Sequence, residues 1–248
     1  MANREPRDIR GNDGVRISQE RLPGDTLMAT RSKSSAKHSA GSSAETPIRP
    51  SARRAGAPEK PACVRDRILE TAREAFYREG IRAVGVDTLI ARSGVAKMSF
   101  YRSFVSKDDL VRAYLESEAE DYWRWWEDVI GRYAHAPRRQ LRALFAATAE
   151  HASAPKFRGC PFGNTLVEFP AEGHPARAVI AAFKAERHAR LRELARAAAA
   201  RDPERLADEL AIVLEGSGFC GEDTRKAART SAMVHAAEIL IDAETRAA

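Results

Sequence analysis

Beyond Pro61 the chain places apolar residues at helical spacing almost without interruption, and that pattern constrains its fold more than any other feature. Between residues 116 and 248 only 15 of 133 are Val, Ile or Thr, too few to furnish a sheet, whereas Ala, Leu, Arg and Glu dominate. The expected fold is therefore all-α, with about nine helices in total. The periodicity and the breakers place them at about 62–79, 86–93, 96–104, 107–131, 137–153, 164–169, 175–200, 203–217 and 223–243. Prolines at 137, 155, 161, 170, 175 and 203 punctuate them, several at the first-turn position that proline tolerates.

The first three helices form a recognisable unit. Ile68, Leu69, Ala72, Ala75 and Phe76 make one apolar stripe on the first. Gly80 is expected to stop that helix in a left-handed C′ conformation, with Ile81 folding back on Phe76 in a Schellman arrangement. A short second helix follows Gly85, with Asp87 in the first turn where it suits the helix dipole. Gly94 and Val95 make a tight turn into a third helix whose Phe100 and Phe104 face inward. Two short helices joined by a glycine turn and backed by a longer one describe a helix-turn-helix, whose second helix fits the DNA major groove.

The stretch Val95-Ala-Lys-Met-Ser-Phe-Tyr-Arg-Ser-Phe-Val-Ser-Lys107 would carry the contacts. With Ile68-Leu-Glu-Thr-Ala-Arg-Glu-Ala-Phe76, Gly80, Gly94-Val95, Tyr101-Arg102, Phe104, Ser106-Lys107 and Leu110, it closely resembles the DNA-binding domain of the TetR/AcrR family of bacterial transcriptional regulators. That resemblance makes Lys97, Ser99, Tyr101 and Arg102 the groove-facing set and Lys107 a phosphate contact. Two positions depart from the family pattern. Ala96 stands where many members carry a capping Ser or Thr, worth roughly 0.5–2 kcal/mol, and Met98 stands where a small residue is common. More loosely, Phe157-Arg-Gly-Cys-Pro-Phe-Gly-Asn164, Glu168-Phe-Pro and His174-Pro175 resemble the effector domain of one subgroup.

Charge follows the same division. Residues 1–60 hold twelve basic and seven acidic side chains, residues 61–115 ten and seven, and residues 116–248 nineteen and twenty-one. Residues 1–60, rich in Ser, Gly, Pro and Arg and lacking apolar periodicity, are expected to be a disordered basic tail. Met28 offers an alternative start that would leave residues 1–27 untranslated. By the resemblance, residues 61–115 are the TetR-type helix-turn-helix DNA-binding domain, and residues 116–248 a helical bundle for effector binding and dimerisation. Cys63, Cys160 and Cys220 have no CxxC spacing, which argues against a disulfide framework or a zinc knuckle. No uncharged run approaches the ~18–20 residues of a membrane span, and no signal-peptide core opens the chain, so a cytoplasmic protein without a membrane partner is expected.

Several patterns suggest chemistry but lack its context. Gly216-Ser-Gly218-Phe-Cys-Gly221 satisfies G-x-G-x-x-G, yet Leu206, Leu210, Val213, Leu214 and Ser217 put it at the end of a helix rather than after a strand. Close helix packing is the simpler role for those glycines. His151, Glu168, Glu172 and His174 have no metal-ligand spacing. Cys160 near Arg158 reads as a packing cysteine before an oxidant sensor. No nucleophile and base constellation is present, so no catalysis, metal or cofactor is expected.

An aromatic group on the fourth helix is more suggestive. Tyr122, Trp126 and Val129 share a face by helical spacing, with Trp123 and Trp125 pointing elsewhere. Tyr122, Trp126, Phe145, Phe162 and Phe183 are the candidate walls of an effector pocket. The resulting expectation is a homodimeric regulator, a repressor released from a palindromic double-stranded DNA operator by a small apolar or aromatic effector. The alternative is a helical interaction or scaffold protein that has lost specific DNA binding.

Overall fold

The computed structural model describes residues 63–218 and 226–245. The basic tail at 1–60, the expected helix starts at 62 and 223, and Cys220 and Gly221 lie outside the described residues. Every regular element among the described residues is a helix: α1 (Val64–Glu79), α2 (Val86–Ser93), α3 (Lys97–Ser103), α4 (Lys107–Gly131), α5 (Pro137–Ser153), α6 (Pro161–Glu168), α7 (Pro175–Ala197), α8 (Pro203–Ser217) and α9 (Lys226–Thr245). The all-α expectation holds, with a three-helix head at the N-terminal end and a helical bundle behind it.

Proline sets four of the starts. α5, α6, α7 and α8 each open with Pro in the first turn, where its missing N–H breaks no helical bond. Thus α6 begins at Pro161 and not at Asn164, because Asn164 N–H already donates to Cys160 C=O at 2.9 Å. Side-chain caps complete others: Ser106 Oγ accepts from Asp109 N–H at 3.0 Å at the head of α4, and Asp202 accepts from Arg205 N–H at 3.1 Å at the head of α8.

The end of α1, the end of α7 and the end of α9, which runs to Thr245 and not 243, differ from the sequence expectation. Gly80 has φ 92° and ψ 147°, positive in φ but too extended in ψ for the left-handed helical turn, so no Schellman motif forms. Its N–H caps Phe76 C=O at 3.1 Å, and the Ile81 N–H that should have folded back on α1 donates instead to Glu168 Oε1 at 3.0 Å. α7 stops at Ala197 and not at Ala200. There Ala199 adopts φ 57°, with Ala200 N–H reaching back to Ala195 C=O and Arg201 N–H donating to Glu244 C=O on α9, both at 3.0 Å.

Two apolar cores lie along the molecule. The first joins Ile68, Ala72 and Phe76 of α1, Leu89 of α2, Phe100 of α3 and Leu110, Val111, Tyr114 and Leu115 of α4 to Phe162, Ile180 and Phe183 of α6 and α7. The second joins Trp126 and Val129 of α4 to Leu141, Leu144, Phe145, Leu191, Leu206, Leu210 and Ile241 of α5, α7, α8 and α9. α4 has 25 residues and spans roughly 37 Å at about 1.5 Å per residue. It therefore contributes to both cores, as does α7, and α4 runs from the head into the bundle.

Candidate functional site

The head is assembled around α3, which has seven residues and is too short to persist alone. Phe100 and Phe104 hold it, both fully buried; burying each side chain contributes about 1.5–3 kcal/mol. The guanidinium of Arg65 lies 4.2 Å from the Phe104 ring centroid and donates to Ser103 C=O at 2.9 Å, fixing the last turn. The turn before α3 is pinned in a similar way. Gly94 is left-handed (φ 62°, ψ 33°), and Arg67 Nη2 on α1 donates to Ser93 C=O at 2.7 Å and Gly94 C=O at 3.3 Å. A Cβ at Gly94 would come within 3.2 Å of that nitrogen, so glycine serves both the backbone conformation and the close approach.

With its inner face anchored, α3 presents Lys97, Met98, Tyr101 and Arg102 outward at i, i+1, i+4 and i+5. Met98 is 72% and Tyr101 43% exposed, while the Tyr101 ring meets Phe100 edge-on at 5.4 Å. Lys97 Nζ sits 3.4 Å from Asp87 Oδ1 on α2, both well exposed, a contact that a phosphate can displace. Ala96 provides no side-chain cap to α3. Of the residues singled out from the sequence, Lys97, Tyr101 and Arg102 thus share one exposed face. Ser99 is half-buried at its flank.

Lys107 stands apart at the start of α4 and is also half-buried. Desolvation pushes its ammonium below the usual lysine range, while the neighbouring Glu168 and Asp108 carboxylates partly restore it. Glu168 ends α6 and reaches the head. Its two oxygens accept from Ile81 N–H at 3.0 Å and Arg82 N–H at 2.7 Å, which closes the connection between α1 and α2. A second tie lies nearby: Tyr77 Oη donates to Gly159 C=O at 3.1 Å and accepts from Arg158 N–H at 2.8 Å, and Arg158 Nη1 donates to Tyr77 C=O at 2.8 Å. Neither tie had a sequence signal, because the partners are more than eighty residues apart.

The same geometry accounts for the residues weighed as metal ligands. Glu168 is occupied by backbone amides, while His174 caps α7 through Nδ1 at 3.2 Å from Ala176 N and stacks on Phe169 at 4.0 Å. Among the described residues no group of three or more His, Cys, Asp or Glu is placed to hold a metal ion. Gly218 follows α8 in close contact with the segment before α6: a Cβ there would lie 3.1 Å from Cys160 Cβ, whereas Gly216 has open space around it.

The five proposed pocket residues divide between the two cores. Tyr122, Phe162 and Phe183 are contiguous, with Phe162 stacked on Phe183 at 3.8 Å and Tyr122 edge-on to Phe183 at 4.9 Å. Trp126 lies 6.1 Å from Tyr122 at the border of the second core, and Phe145 is fully buried inside that core. Trp123, which helical spacing alone turned away from this group, joins it: α7 covers its ring, with Phe183 at 5.3 Å and the Arg190 guanidinium at 4.4 Å. Burial pushes the Tyr122 phenol well above its ordinary range, against the pull of Arg187 and Arg190.

Residues 68–114 match the family model described as bacterial regulatory proteins of the tetR family, and residues 137–236 match one described as the tetracyclin repressor-like C-terminal domain. The fold resembles that of a TetR-family transcriptional regulator from Streptomyces coelicolor, 27% identical over 74% of this chain and 96% of that one, with a TM-score of 0.70. A structure from Streptomyces avermitilis is 29% identical over 75% of this chain and 100% of that one, with a TM-score of 0.64. A TetR transcriptional regulator from Chloroflexus aurantiacus shares the fold at 23% identity, a TM-score of 0.65 and coverage of 75% and 97%. No curated protein sequence matches significantly.

Proposed function

Because the chain belongs to the TetR family of bacterial transcriptional regulators, we propose that it represses transcription as a homodimer on a palindromic operator and leaves it when a small effector enters the bundle. The observation that carries this reading is the outward face of α3. Lys97, Tyr101 and Arg102 are exposed together on a helix locked to α1 by Arg67, Arg65 and Phe100. A cation and aromatic face on a rigid short helix suits a major groove, with Tyr101 against the sugar-phosphate backbone, Arg102 and Lys97 at guanine edges or phosphates, and Ser99 and Lys107 at the flanks.

Dimerisation is assigned to α8 and α9. Ile212 on α8 is 71% exposed and Ile239 on α9 54%, two large aliphatic side chains left to solvent on helices that pack against each other. Pairing these helices with their symmetry mates would set two α3 helices about 34–36 Å apart, one turn of DNA. The effector would act through its unequal affinity for the operator-bound and released spacings of the two heads. Tyr122, Phe162 and Phe183 give it aromatic walls, with Trp126 and Phe145 behind them. No helix among the described residues is long and apolar enough to cross a membrane, in keeping with a proposed cytoplasmic site of action.

A gel shift of the full chain on the DNA flanking its own gene, with sedimentation of the free protein, tests this. A dimer that selects a palindrome over shuffled DNA is expected. A stable monomer with specific binding contradicts the dimer, and indifference to sequence favours a scaffold without operator recognition.

A further inference from the structure

The effector-binding reading leaves the chemistry of the ligand open, and one buried side chain narrows it. Arg187 on α7 is only 6% exposed. Its Nη2 donates to Glu215 Oε1 on α8 at 3.0 Å, and its charge lies over Phe183, 5.6 Å from the ring centroid. Its Nε is buried with no hydrogen-bond partner. A buried donor left unmet is costly, and more so on a charged group.

The electrostatic account around Arg187 is also uneven. Glu215 is 44% exposed and its Oε1 is shared, with Lys184 Nζ at 2.9 Å and Arg187 at 3.0 Å. Two cations therefore meet one carboxylate. Arg190, the other cation near Tyr122, is already met by Glu186 and Glu127 and stacked on Trp123. If Arg187 turns toward a new anion, Lys184 still neutralises Glu215. A guanidinium offers Nε and one Nη as a flat two-donor edge that fits a carboxylate, and here the guanidinium lies over Phe183, whose ring in turn meets Phe162 and Tyr122. An apolar molecule without charge would leave Nε as it is. A carboxylate on a flat ring satisfies Nε, balances the excess cation and continues the aromatic stack.

Resting on the effector reading above, we infer that the ligand is an aromatic monocarboxylate, its carboxylate on the Nε edge of Arg187 and its ring among Tyr122, Phe162 and Phe183.

The test is calorimetry and thermal shift on the full chain at pH 7.5, with benzoate, phenylacetate and 1-naphthoate as probes and their neutral primary amides as matched controls. At least one acid is expected to bind and raise the melting temperature, with its amide at least tenfold weaker. Arg187→Gln is expected to weaken that acid at least tenfold and to leave the amide unchanged. Arg187→Lys, which keeps the charge on Glu215 but lacks Nε, is expected to lose most of the same affinity, and it serves as the variant if the glutamine form does not fold. Equal binding of acid and amide, or undiminished acid binding by both variants, overturns the inference while the effector reading survives. Binding of amides alone has the same meaning. If neither acids nor amides bind, the inference and the apolar effector reading fall together.

Discussion

Glu168→Ala isolates the tie between the bundle and the head. The substitution removes the carboxylate that accepts from Ile81 N–H at 3.0 Å and Arg82 N–H at 2.7 Å. A hydrogen bond to a charged acceptor contributes about 1.5–3 kcal/mol. Arg82 N–H lies toward solvent and can rebond to water, so the lower end applies and the pair sums to about 3 kcal/mol. For a folded unit of this size that lowers the melting temperature by about 6–12 °C. Glu168→Gln keeps the volume and one acceptor oxygen but turns an NH2 toward the other N–H, so about half the loss is expected. Thermal unfolding by circular dichroism reads the total, and amide exchange reads the place: Ile81 and Arg82 should exchange faster before the rest of α1 does. Operator affinity should fall with it, since the freed turn leads directly into α2. A melting temperature within 2 °C of the parent, with unchanged protection at both amides, would refute the reasoning.

Further outcomes follow from the geometry. Arg102→Ala should cost about 1–3 kcal/mol of operator binding and relax sequence preference if Arg102 reads a base, whereas a uniform loss over all competitor DNAs marks a phosphate contact. Ile212→Arg with Ile239→Arg should shift sedimentation to the monomer and abolish cooperative binding to a full palindrome; an intact dimer would rule out the α8 and α9 interface. In the cluster of α1 and α4, burial pushes Glu118 above the usual carboxylate range despite Arg73, while burial pulls Arg73 down and Glu118 with Asp121 more than restores it. A raised carboxyl contributes stability below its unfolded value that is lost as pH rises through the folded one. Glu118→Gln should thus match the parent near pH 4 and exceed it at pH 7 in urea unfolding, and Arg73→Ala should cost about 2 kcal/mol by leaving Glu118 without its cation, while Asp121 keeps Arg124. Ala199→Gly, which relieves a left-handed backbone at φ 57°, should stabilise by about 0.5–1 kcal/mol, measured as an unchanged denaturant slope with a higher midpoint.

Elements whose signal lies within a few residues were legible in advance. The apolar stripe of α1, the Gly94 turn, the proline-led starts of α5, α7 and α8, and the buried Phe100 and Phe104 follow from spacing and punctuation. The face of Lys97, Tyr101 and Arg102 follows from the helical repeat once its inner side is known. The misses have a common origin. Asn164 reads as a start because the sequence marks no difference between proline as a break and proline as the first turn. The alanines at 198–200 favour helix equally well, and the bonds of Ala200 and Arg201 set where α7 ends.

Local periodicity therefore determined the all-α class, the order and approximate bounds of the helices and the inward face of α3, because each is encoded within one or two helical turns. Docking decided the rest. The Glu168 tie, the Arg67 clasp on the turn, the cover of α7 over Trp123 and the buried, half-satisfied Arg187 join residues 26 to 87 positions apart, or within helices whose facing is set by their neighbours. Such contacts depend on many helices packing at once, and no window of sequence contains that sum.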